Sequence, residues 1–388
     1  MTNPAASHAH GVTPELLADP VLAATIQVAD ELLQPHADET AQAGVPRSHL
    51  DALAAAGTLG LAGYRPSRGA LSPADEQLLR DRLLREATEV LAAADGATWF
   101  VAAQHHQPLR EVMNSVNADL REQWLDKLTT GRALSGIAVS HLARTGPPAV
   151  TATPSPGGGW RLDGRITWFT GWGLADVMLL GAATPDDQAL LVLLPCATLA
   201  VSPGVVHHHD LWSMHATHAV SIDLHAIPAG PDQVVACPTR TDWLRAYTHR
   251  TVNTHPAVFG CLRATTTFLR DHAARTNPVC ADHGGFAQLA TKITQRADTL
   301  RERAYHLCDR VPPGQAHQER LSVRAASVDL AFRAAGACLA AVGARSMQRN
   351  STAARLAAEA SFHLVHGQTS EARSLHAQQL LIPPGGGA

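Results

Sequence analysis

GGWRLDGRITWFTGWGLADVMLL, residues 158–180, is the stretch on which the fold reading turns. It lies among short apolar runs, ALSGIAVS at 133–140, AVTATP at 149–154, DVMLLGAAT at 176–184 and ALLVLLP at 189–195, separated by Pro and Gly clusters. Runs of that length bounded by turn residues read as strands, so this part of the chain is expected to be all β. The triplet Gly157-Gly158-Gly159 before Trp160 fits a tight hairpin turn that needs positive φ. A phosphate-loop reading of it is weak, because no Lys-Ser or Lys-Thr and no helix follows.

Both flanks have a different period. Residues 21–39, 46–61 and 75–106 on one side, and 250–274, 284–310, 319–344 and 351–367 on the other, repeat apolar residues three and four apart, which is the helical signature. The last four can bury their stripes against one another as a bundle. The expected class is α+β, mainly α: an N-terminal helical domain (1–130), a central small β-barrel or sandwich (131–231) and a C-terminal four-helix bundle (232–388) ending in a mobile PPGGGA tail. There is no internal repeat and no βαβ alternation.

With 388 residues, the chain is expected to form two or three lobes around a sizeable core. Lys+Arg 31 against Asp+Glu 34 gives a net charge of −3, and without a basic field nucleic acid is a poor partner. Six cysteines stand apart with no Cys-x-x-Cys pair, as reduced, packed thiols do. The start, MTNPAASHAHGVTPELL, has neither a basic nor an apolar signal region, and no run of about 18 uncharged apolar residues occurs. A cytoplasmic protein without a membrane partner is expected. Twenty-two histidines against three tyrosines direct attention to proton chemistry.

Several stretches together resemble the acyl-CoA dehydrogenase superfamily. AGVPRSHLDALAAAGTLGLAG (43–63) is similar to its entry segment and QWLDKLTTGRALSGIAVS (123–140) to its approach to the flavin; residues 158–180 are the most specific match. HDLWSMHATHAVSIDLHAIPA (209–229) resembles the end of its β domain, and RLAAEASFHLVHGQTSEARSLHAQQLL (355–381) its C-terminal helix pair. The resemblance implies FAD or FMN, with Ser140 at the hydroxyl that bonds the flavin pyrimidine edge and Trp168 and Thr170 on the strand beside the ring. Arg275, Gly343 and Thr369 fall at further cofactor-binding positions. It also implies a homodimer or homotetramer.

The chain departs from that pattern at the catalytic base. Where most members carry a glutamate, Gly367 stands in His366-Gly367-Gln368-Thr369, and the alternative position reads His249-Arg250. Glu371 is expected a full turn beyond the site. The pyrophosphate stretches are reduced to Arg275-Thr276-Asn277 and Val342-Gly343-Ala344-Arg345. In place of the carboxylate come His363 and His366, three residues apart on nearly one helix face. The resemblance then points to the superfamily's monooxygenase-like members, with His363 and His366 catalytic and His105 and His106 facing the same cavity. Histidines so spaced equally fit a packed or solvated pair. No metal is expected, since spacing supplies no third ligand and His207-His208-His209 reads as an exposed run.

The leading expectation is a flavin-dependent monooxygenase acting on a small molecule. Electrons would come from a separate flavin reductase, because no G-x-G-x-x-G follows a strand to hold NAD(P)H. The alternatives are a dehydrogenase or oxidase of an acyl thioester with a non-glutamate base, and a fold member that has abandoned flavin for cyclase, lyase or structural work. With seven phenylalanines and three tyrosines, composition argues little for aromatic stacking.

Overall fold

The computed structural model describes residues 12–64, 71–200, 206–275 and 284–381. The first eleven residues, Thr276-Asn277, Cys280 and the PPGGGA tail lie outside the described residues.

The helices before the first strand are α1 (Pro20–Val28), α2 (Gln34–Ala43), α3 (Arg47–Ala55), α4 (Pro73–Ala94), α5 (Gly96–Ala103), α6 (His106–Asn114) and α7 (Ala118–Thr129). Asp19, Ser72, Asp95 and Asn117 each accept a backbone N–H from the first turn of the helix that follows. Short polar side chains are favoured there because those N–H groups have no partner within the helix.

The β unit comprises β1 (Ser135–Ala138), β2 (Val150–Pro154), β3 (Trp160–Phe169), β4 (Val177–Ala183), β5 (Ala189–Pro195), β6 (Val206–His208), β7 (Val220–Ala229) and β8 (Val234–Ala236), with the short α8 (Cys196–Ala200) after β5. They form one sheet in the order β6-β7-β3-β2-β4-β5-β8, with β1 parallel to β4. The β2–β3 hairpin turns through Gly158 and Gly159 at φ +86° and +77°. A Cβ on Gly159 would stand 2.4 Å from the Ala229 carbonyl, which closes that position to other residues.

β4 shows the period of two that a strand imposes. Met178 and Leu180 pack with Ile166, Phe169 and Val192, while Val177 and Leu179 pack with Leu109 of α6, Leu120 of α7 and Trp243 of α9 (Arg240–Thr251). With both faces covered, the strand reads in sequence as one apolar run.

The bundle is α10 (Ala257–Arg275), α11 (Gly284–Arg310), α12 (His317–Val342) and α13 (Thr352–His363), and α14 (Ser370–Leu381) packs on α12. Buried Glu86 and Glu89 of α4 pair with Arg263 of α10 and with Arg301 of α11, whose Nε donates to Glu89 at 2.6 Å; Tyr305 also donates to Glu89. This network locks the N-terminal helices to the bundle. Residues 317–347 include an 18-residue window apolar enough by composition to cross a membrane, yet half of that window is buried in the molecule. Buried Arg320, Arg324 and Asp329 on α12 fit a bundle-core helix.

Candidate active site

Alternation along β3 sends Phe169 inward and leaves Trp168 49% exposed. A Cβ on Gly136 would lie 2.5 Å from the Phe169 ring, so glycine is what lets β1 press against β3. The Trp168 ring lies 4.3 Å from that of His209, whose Nε2–H donates to Thr167 O at 3.1 Å. Thr170 is buried, and the adjoining Gly171 abuts Val101 of α5. Exposed Ser140 opens the turn after β1. His141 anchors that turn by donating from Nε2–H to Gly181 O at 2.7 Å. The structure thus presents Trp168 as an exposed aromatic plate on β3, with Ser140 just beyond the end of β1 and Thr170, expected on the strand, just beyond the end of β3.

On α5, two residues before Val101, begins a second group. Trp99 is 5.7 Å from His363, 5.9 Å from His366 and 5.3 Å from His255, measured between ring centroids. Phe100 and Phe362 approach the half-buried His366 ring at 5.1 Å and 5.0 Å. Helix α13 ends at His363, so His366 lies in the turn beyond it rather than on the helix. The two rings still converge because His366 N–H keeps the helical bond to Phe362 O at 3.0 Å. Gly367 follows at φ +56°, facing open space.

The electrostatics of this cluster move its imidazoles far from their ordinary value. Burial, helped by His255 and then Arg324, pushes His363 down to about 3. Burial and Arg324 push His255 down to about 4, and His366 is driven well below its ordinary value by burial, His255, His363 and Arg324. Ion-pairing carboxylates are absent from these groups among the described residues. Inside the cluster, His363 Nδ1 and Trp99 Nε1 are buried without a hydrogen-bond partner.

The remaining sequence candidates lie outside this histidine cluster, although His105 lines a small cavity together with Thr170 and Gly171. His105 precedes α6 with both nitrogens spent: Nε2–H donates to Leu128 O at 2.8 Å and Nδ1 accepts from Ser135 N–H at 3.1 Å. It is therefore a neutral tie between α7 and β1, held down to about 4 by burial. His106, opening α6, is pushed down to about 3 by burial and by His105, and faces Leu59. Neither shares a ring contact or hydrogen bond with His363 or His366 among the described residues. Thr369 caps α14 by accepting Ala372 N–H at 3.2 Å. Glu371 accepts from surface His317 at 2.8 Å. Arg275 lines a cleft of about 510 Å³ walled by α2, α4, α10, α11 and α13, whose lining does not include Gly343. Sequence reasoning missed Trp99, His255 and Arg324, since nothing in their local spacing separates them from core and loop residues.

Strand order, flanking helices and bundle together define the acyl-CoA dehydrogenase fold. Its solved likenesses include a glutaryl-CoA dehydrogenase in complex with glutaryl-CoA (TM-score 0.74, 15% identity, 95% of this chain and 96% of that one). Butyryl-CoA dehydrogenase from Megasphaera elsdenii gives a TM-score of 0.70 at 14% identity over 93% of this chain and 97% of its own. Dibenzothiophene monooxygenase from Paenibacillus sp. A11-2 gives 0.66 at 19% over 93% and 96%. In sequence, the chain is 25% identical over 159 residues to dibenzothiophene monooxygenase of Rhodococcus erythropolis, a match covering 39% of this chain and 38% of that relative. No family model matches.

Proposed function

We propose that the protein is a flavin-dependent oxidoreductase, and within that class a monooxygenase that receives reduced FAD or FMN from a separate reductase and acts with O2 on a small molecule. The observation that carries this reading is the replacement of the family's base carboxylate by Gly367 beside neutral His255, His363 and His366. Dehydrogenation of an acyl thioester needs a strong base opposite the flavin, and a neutral imidazole held down to about 3 or 4 is a poor one. The likeness to dibenzothiophene monooxygenases supports the same choice.

The chain's residues fit a flavin. An isoalloxazine ring needs a flat apolar wall and a few hydrogen-bonding groups, and exposed Trp168 and Ser140 with nearby Thr170 offer both. Bound flavin would supply two-electron chemistry with O2. Trp99, Phe100 and Phe362 would keep water out, the condition under which hydrogen bonds gain strength. His255, His363 and His366 would hold protons as neutral N–H donors rather than release them as acids. The same reading takes Arg275, Gly343 and Thr369 as contacts for the rest of the cofactor, completed in a homodimer or homotetramer.

The test is rapid mixing of protein loaded anaerobically with reduced FMN or FAD against oxygenated buffer while the flavin spectrum is recorded. A long-lived spectrum distinct from both reduced and oxidised flavin is expected. Direct return to oxidised flavin would move the assignment to a dehydrogenase or oxidase, and failure to bind either flavin to a non-redox protein.

A further inference from the structure

Arg324 of α12 is buried, and among the described residues it forms no ion pair. Its partners are all carbonyls: Thr251 O at the end of α9, His366 O at 2.8 Å and Gly367 O at 3.2 Å. Desolvation without a counter-charge pulls it down to about 10. A buried guanidinium normally has a carboxylate beside it, because burying a lone charge is expensive. Here the positive charge is stationed one hydrogen bond behind His366.

His255 adds a donor with a fixed direction. Its Nδ1 accepts Ala257 N–H at 3.3 Å, which assigns the ring proton to Nε2 in the neutral form. Trp99 Nε1–H, buried and without a partner, is a second donor 5.3 Å away between ring centroids. The flanking Phe100 and Phe362, packed on each other and on His366, supply apolar walls. The titratable and charged groups within the cluster are His255, His363, His366, His376 and Arg324, with Tyr247 near Arg324; buried Asp95 and Glu359 stand four residues before Trp99 and His363, and among the described residues no carboxylate pairs with these histidines. Aromatic walls, neutral N–H donors and an uncompensated cation are complementary to one kind of ligand.

We infer that this cluster binds a flat aromatic substrate bearing an anionic oxygen, a carboxylate or an ionised hydroxyl, in preference to a neutral aromatic ring, with Arg324 supplying the field and His255 Nε2–H a direct hydrogen bond. The inference rests on the cluster being the substrate site of the proposed oxidoreductase. It assigns this chain a substrate charge that a dibenzothiophene-type ring lacks. Arg324 is a specificity-determining residue that acts through the His366 turn, and His255 touches the ligand.

The experiment is calorimetric binding to flavin-loaded protein at neutral pH of three matched pairs: indole-3-acetate and indole-3-ethanol, 1-naphthoate and 1-naphthalenemethanol, benzoate and benzyl alcohol. At least one acid is expected to bind about ten-fold tighter than its alcohol, equivalent to about 1.4 kcal/mol. Arg324→Met should bring the ratio close to one, and His255→Phe, which keeps the ring and removes the donor, should weaken the acid more than the alcohol. If Arg324→Met does not fold, His255→Phe decides the matter: an acid-over-alcohol ratio unchanged in that variant overturns the inference. Equal affinities within every pair, failure of all three acids to bind, or a preference that survives in folded Arg324→Met each overturns the inference. Because no oxygen chemistry is read, a preference for acids alongside a failed rapid-mixing test would retain the anion site and discard only the reaction class.

Discussion

Trp168→Ala tests the flavin wall at its most exposed point. Trp168 shows 49% of its surface to solvent in a strand whose neighbours Ile166 and Phe169 are buried. An aromatic side chain of this kind can bury about 150–250 Å²; half of that, about 100 Å² at about 25 cal/mol per Å², comes to about 2.5 kcal/mol on covering by a ligand. Removing the indole should therefore weaken flavin binding by nearly two orders of magnitude. The fold should hold, because the exposed face contacts little besides His209. The assay is quenching of FMN and FAD fluorescence on titration with protein, with the thermal midpoint measured in parallel. Trp212→Ala is the control, since Trp212 is 80% exposed but lies outside β3. Unchanged flavin affinity in a folded Trp168→Ala protein, or equal losses in the two variants, would refute the placement of the ring against β3.

His366→Ala should retain flavin and lower kcat by about 10²–10³, the usual cost of removing one preorganised donor; full turnover would remove His366 from the mechanism. Glu89→Gln leaves Arg263 and Arg301 short of a buried partner and should cost about 3–5 kcal/mol, read as a fall in the urea midpoint; an unchanged midpoint would contradict the role given to this network. His255 and His363 are held down to about 4 and about 3, against an ordinary 6.5, so between those values the unfolded chain takes up protons that the folded chain refuses. Stability should consequently be full above the ordinary imidazole range and fall as pH drops from about 7 to about 5. A urea midpoint indifferent to that change would show that these rings are not held neutral.

The three-part order was legible because each part carries its own period. Alternation marks β3, three- and four-residue spacing marks α10 to α13, and the glycines of the β2–β3 turn announce positive φ. Residues 158–180 likewise pointed to a strand through Trp168, but it stops at Phe169 and leaves Thr170 just past its end, and only alternation in three dimensions decides that Trp168 faces out and Phe169 in. The pair His363 and His366 was readable as a pair. Its helical reading overshot by a turn, since α13 stops at His363 and only one continued hydrogen bond keeps the rings together.

Linear sequence determined the element types, the glycine at 367 and the surplus of histidine. The tertiary structure decided which histidines matter together. It drew His255, 111 residues before His366, to a ring distance of 5.1 Å, and it tied His105 off between Leu128 and Ser135. It also gathered Trp99, Phe100 and Phe362 from a chain with few aromatics into one cluster backed by Arg324. The physical reason is that periodicity is a local property of each segment, whereas burial, desolvation and the field of an unpaired charge depend on which segments the packed core brings together.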